Sequence, residues 1–167
     1  MSTQTESVLH ALEEAKCMER EGLEFYRKAA DKTRSEKGKR LFLSLASDEG
    51  MHERLIQRQI DHFKSEAEWV DLPEVREPTK CDLNESIFPP GKQALANIEA
   101  DMSEAEALLL ALELETKSYD LYRRSANVAT DPAARAMYEF LASQERLHFD
   151  LLMTNYEAFA SYGGWAD

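Results

Sequence analysis

Apolar residues recur at spacings of three and four along four stretches of the chain. In the first, about residues 5–32, Leu12, Ala15, Glu19, Leu23 (or Gly22), Tyr26 and Ala30 fall on one face. This 3.6-residue period predicts an amphipathic helix. Glu13, Glu14, Arg20, Arg27 and Lys28 fall largely on the other side, toward solvent. After a turn at Thr33 to Ser35, the stretch 36–69 repeats the pattern with Phe42, Leu45, Glu49, His52, Ile56 and Phe63 inward. The third stretch, 103–128, places Leu108, Ala111, Glu115, Tyr119 (or Ser118) and Tyr122 on one face. The fourth, 132–161, does so with Tyr138, Leu141, Glu145, His148, Leu152 and Phe159. The boundaries of the third and fourth stretches are signalled locally. Ser103 with Glu106 forms a capping box, and Asp131 before Pro132 is an N-cap with proline at the first helical position. Gly163-Gly164 is a helix stop.

Residues 70–102 break the pattern. Four of the five prolines (73, 78, 89 and 90) lie there, with Gly91 following the last, and such punctuation stops helices. A short helix is expected over about 92–100. So long a connection suits a crossover along a bundle, which would leave the second and third helices parallel. It also suits a helix exchanged with a second subunit. The predicted architecture is all-α: one domain over 1–167, a four-helix bundle made of two helical hairpins.

The hairpins are copies. A constant offset of 96 carries Glu19 to Glu115, Tyr26 to Tyr122, Glu49 to Glu145 and His52 to His148, without a gap. Each of these glutamates and histidines interrupts an apolar stripe. In Glu-x-x-His the two side chains are neighbours on one helix face and present an oxygen and a nitrogen to one point. Four carboxylates converging in a core would repel one another, and burying each unpaired would cost about several kcal/mol. Two divalent cations would cancel their charge. Oxygen-rich ligation with one imidazole per metal suits iron, or manganese, better than a thiolate-seeking metal. Tyr26 and Tyr122, two turns beyond Glu19 and Glu115, need partners for buried hydroxyls, and a ligand carboxylate is the obvious one. Gly22, one turn after Glu19, is costly in mid-helix and reads either as room for a close neighbour or ligand or as plain tolerance. His10, His62 and Cys17 have no counterpart in the repeat. The histidines read as surface residues, Cys17 as structural, and the phenylalanines and Tyr138 as core.

Composition narrows the picture. Charged residues make up 31% and apolar residues 43% of the 167, as in soluble globular proteins. The net charge of −12 argues against nucleic acid, whose phosphates need a basic surface, and favours cations. The longest apolar run, Ala107 to Leu112, is far too short to span a membrane. The N-terminus lacks the basic and apolar regions of a secretory signal. Two distant cysteines, Cys17 and Cys81, read as free thiols of a cytoplasmic protein. No Cys-x-x-Cys occurs.

Two Glu-x-x-His motifs plus two further glutamates form a known ligand set, that of ferritin-like di-iron carboxylate proteins. More closely, Glu19-Arg-Glu-Gly-Leu-Glu-Phe-Tyr26 with Glu49-Gly-Met-His52, and Glu115 through Tyr122 with Glu145-Arg-Leu-His148, resemble the rubrerythrin family. The likeness covers roughly residues 7–63 and 103–158. It implies a ferritin-like bundle and a site of two irons held by Glu19, Glu49, His52, Glu115, Glu145 and His148. Glu49 and Glu145 would approach both metals. Rubrerythrins proper also carry a rubredoxin domain, with four cysteines around one iron, and an extra glutamate where Ser118 stands here; Gly22 is its symmetry mate. The resemblance implies a homodimer that reduces hydrogen peroxide or dioxygen with electrons from a separate, rubredoxin-like donor. A ferroxidase or iron carrier would use the same ligands. A metal-stabilised interaction module, binding a partner through residues 64–90, is the third reading.

Overall fold

The computed structural model describes residues 3–75 and 103–166. The expected short helix at 92–100 and most of the crossover lie outside those residues. Four helices account for nearly all the rest: α1 (Thr3–Lys32), α2 (Glu36–Glu66), α3 (Glu104–Val128) and α4 (Pro132–Tyr162). They form an all-α, ferritin-like bundle, and each opens on a residue that satisfies its free N–H groups where a cap is described. Ser35 accepts from Gly38 N–H at the head of α2, and Asp131 accepts from Ala133 and Ala134 at the head of α4. Ser103 and Glu106 close the capping box of α3. Gly163 ends α4 in the left-handed region at φ 69°, where glycine carries no side-chain penalty.

The contacts fix the helix directions. Within each hairpin the two helices pack side by side. Across the hairpins, Tyr26 meets Glu115 while Tyr122 meets Glu19, so α1 and α3 run antiparallel. His52 faces Glu145 and Glu49 faces His148, so α2 and α4 do too. It follows that α2 and α3 are parallel, as a connection spanning the bundle requires.

Two apolar clusters fill the interior. One is built on Leu12, Ile56, Ile60, Tyr122, Met137 and Leu141, the other on Tyr26, Phe42, Leu45, Leu108, Ala111 and Leu152. Burying each such Leu, Ile or Phe contributes about 1.5–3 kcal/mol. Given the helix directions, they occupy opposite ends of the bundle, with the polar residues of the stripe between them.

The second helix departs from expectation. It stops at Glu66 rather than 69, with Ala67 left-handed at φ 58° and its N–H bonded to Phe63 O at 3.0 Å. The chain then turns back along the bundle. The Gln59 amide, with its nitrogen toward the Val70 carbonyl, donates to it at 3.1 Å and accepts from Val70 N–H at 3.0 Å. Trp69 packs edge-on against Phe63 at 5.6 Å and Tyr138 at 5.9 Å, and Leu72 enters the first cluster. At the opposite end Trp165 packs the same way on Phe159 at 5.0 Å and Phe42 at 5.7 Å. These positions obey the same offset of 96, so the duplication extends past the helices to an aromatic clamp at each end. Trp165 lies so close over Gly38 that a Cβ there would collide with the indole and stand 2.6 Å from Thr33 Cγ2.

Cys17, expected to be structural, is exposed on α1, its Sγ 3.9 Å from Glu21 Oε1. His10 is exposed and His62 partly so. Among the described residues no helix is long and apolar enough to cross a membrane.

Candidate metal centre

Each helix delivers its polar residues from the middle of its buried stripe. Glu19, Glu49, His52, Glu115, Glu145 and His148 are all buried. Their side chains converge as two overlapping groups: Glu19, Glu49, His52 and Glu145, and Glu49, Glu115, Glu145 and His148. Within each group the candidate ligand atoms lie within 4.8 Å of one another. Glu49 and Glu145 belong to both. His52 Nδ1 lies 3.2 Å from Glu19 Oε2, 3.3 Å from Glu145 Oε1 and 3.7 Å from Glu49 Oε2. His148 Nδ1 lies 3.3 Å from Glu49 Oε1 and 3.5 Å from Glu115 Oε2. The two imidazoles stack 5.7 Å apart at 24°.

Several of these atoms approach without bonding. Glu115 Oε2, Glu145 Oε1 and His148 Nδ1 are buried and have no hydrogen-bond partner. Their neighbours are near enough in distance but misaligned. Such orphaned atoms are costly in a core; Glu145 Oε1 lies beside His52 in one ligand group and Glu115 Oε2 beside His148 Nδ1 in the other, so a cation in each group would satisfy them. A pair of divalent metals fits the donor set on that ground.

The electrostatics are those of a cluster short of positive charge. Burial pushes Glu19 up to about 8, the nearby His52 only partly offsetting it. Burial and the charges of Glu49, Glu115 and Glu19 raise Glu145 well above the carboxylate range. Burial also acts on Glu49, but its contacts with His148, His52 and Glu19 outweigh it and hold that carboxyl low. Both imidazoles are held protonated well above their ordinary value: burial opposes this, but Glu19 at His52 and Glu115 at His148 lead the charges that overcome it. Without metal, protons take the place of cations.

The tyrosines brace the cluster crosswise. Tyr26 donates to Glu115 Oε1 and Tyr122 to Glu19 Oε1, each reaching the other hairpin's glutamate. Their rings rest on the aromatic clamps: Tyr26 stacks on Phe42 at 6.2 Å and Tyr122 on Tyr138 at 6.3 Å, both at 24°. Gly22 has a close neighbour, the Glu49 side chain: a Cβ at 22 would stand 3.4 Å from Glu49 Cδ. That is an ordinary van der Waals distance, so an alanine would also fit against the carboxylate and the glycine is tolerated there rather than required. Asp48 was not foreseen as part of the site. Its Oδ2 lies 3.5 Å from His148 Nε2. The offset gives glutamine at 144, so the repeat offered no signal for it.

The chain matches the rubrerythrin family over residues 10–156. No curated protein and no solved structure matches it. Duplicated Glu-x-x-His motifs, their convergence between two apolar clusters and a match over most of the length agree, and the chain belongs to the rubrerythrin family of ferritin-like di-iron proteins.

Proposed function

We propose that this protein is a non-haem di-iron oxidoreductase, reducing hydrogen peroxide or dioxygen with electrons from a separate rubredoxin-like donor, as a cytoplasmic homodimer. The observation that carries the reading is that Glu49 and Glu145 belong to both ligand groups, so that two metal ions held there would share these two residues. Glu19 and His52 would complete one iron's ligands, Glu115 and His148 the other's. When bound, two ferrous ions would supply the two electrons that, with two protons, convert hydrogen peroxide to two waters. The chain's own part is to hold ligands in place and exclude water. Tyr26 and Tyr122 fix one oxygen each of Glu115 and Glu19, leaving the other oxygen for metal. The apolar clusters on either side keep bulk water from the reacting centre.

Anaerobic loading with Fe(II), followed by one equivalent of peroxide or of dioxygen in a stopped-flow absorbance experiment, tests this. Two irons per chain oxidised faster by peroxide are expected, with Glu49→Ala and Glu145→Ala abolishing both binding and oxidation. Faster reaction with dioxygen and departure of the iron would identify a ferroxidase or carrier. Metal inert to both oxidants would leave an interaction module.

A further inference from the structure

The two halves of the centre are related by the repeat, yet their surroundings differ. On the His52 side, Phe140 stands edge-on to the imidazole at 6.3 Å, and His52 is 0% exposed. The offset of 96 places Ser44, an exposed residue, where Phe140 stands, and His148 where His52 stands. The repeat holds in the packing as well: Tyr26–Phe42 and its counterpart Tyr122–Tyr138 have nearly the same spacing, 6.2 and 6.3 Å, and the same angle, 24°. Two further pairs differ in the same sense. Leu55 is 2% exposed and its counterpart Leu151 is 44% exposed. Met51 packs against the first cluster, while its counterpart Leu147 is 45% exposed. Leu72, from the chain that folds back after α2, joins the cluster that contains Leu55. The His148 side chain is 7% exposed, and half-exposed Asp48 sits 3.5 Å from its outer nitrogen.

We propose that divalent cations and small oxidants reach the centre from the His148 side, between α2 and α4, past Ser44 and Asp48; the His52 side is sealed by Phe140. This rests on the metal-centre reading above. Ser44 acts as the opening because it is small. Asp48 places a carboxylate at the mouth, where it attracts an incoming cation and orients the His148 ring from behind. A neutral oxidant follows the same path along the exposed Leu147 and Leu151.

The test copies the plug from the closed side to the open one. Ser44→Phe is made with Ser44→Ala as control; residue 44 is exposed, so neither change disturbs the core. Co(II) uptake by metal-free protein and its removal by excess EDTA are followed by absorbance. With Ser44→Phe both rates are expected to fall about tenfold or more together, leaving the dissociation constant, their ratio, nearly unchanged. Ser44→Ala should match the parent. Unchanged rates in Ser44→Phe would overturn the proposal. Slow uptake with accelerated loss would also overturn it, because that pattern marks a distorted site. Failure of the parent protein to take up Co(II) would remove the metal reading, and the route with it.

Discussion

The tyrosine hydroxyls show how much one atom decides here. Glu19 Oε1 and Glu115 Oε1 are buried and each accepts from a tyrosine of the other hairpin. Tyr122→Phe leaves Glu19 Oε1 without that donor, at a cost of about 1–3 kcal/mol. Thermal melts of the metal-free variant should show the loss, with a similar one for Tyr26→Phe. Glu145 behaves differently. Burial and three like charges favour its neutral form, which glutamine imitates. Glu145→Gln should therefore be at least as stable as the parent when metal-free at pH 8, yet fail to hold two metals; calorimetry and metal analysis would separate the effects. The six cluster residues and the two tyrosines were legible in the sequence because each breaks an apolar stripe and does so twice. Asp48 and the contrast of Ser44 with Phe140 were not, because they are places where the repeat fails. Such a failure has meaning only once the two sides of the centre can be compared.

Helix ends and close approaches govern the elements. Most boundaries could be read from caps: Ser103 with Glu106, Asp131 with Pro132, and Gly163. The end of α2 could not. Ala67 adopts the left-handed conformation without being glycine or asparagine, and Trp69, Val70 and Leu72 look like a continuing helix face. They are held by Gln59 and the first apolar cluster, a tertiary cause that local sequence does not contain. Gly38 carries a comparable hidden constraint, since its surface is covered by Trp165. Gly38→Ala would raise intrinsic helix propensity, yet it should destabilise the protein by about 1–3 kcal/mol, as overpacking does. Blue-shifted or quenched Trp165 fluorescence lost in the variant, read against a Trp69→Phe background, would report the displaced indole.

At the scale of the whole molecule the centre sets the response to pH. Glu19 titrates near 8 when folded, against about 4.3 unfolded. The folded metal-free protein therefore holds a proton that the unfolded chain has released, and stability falls as pH rises across that interval. His52 and His148, raised by their carboxylates, add stability that is complete below about 6.5 and is lost above it. Glu49, held low, works in the opposite sense and loses its contribution only as pH falls below about 4.3. The melting temperature of metal-free protein should thus decline from about pH 5 to pH 8. Metal displaces these protons, so the gain in melting temperature on adding Mn(II) should grow over the same range. A flat profile for the metal-free form would contradict the assignment.

Each ligand group draws three residues from one hairpin and one from the other: Glu145 completes the first and Glu49 the second. Neither hairpin owns a complete coordination shell. The ions would thus be rivets between two half-proteins, and covalent continuity through residues 76–102 is not what holds the halves in register. A chain cleaved in that stretch should stay paired while loaded and come apart more readily when stripped by chelator, as size-exclusion chromatography would show. A half-made chain would grip a metal ion poorly, so capture would wait until both hairpins had met.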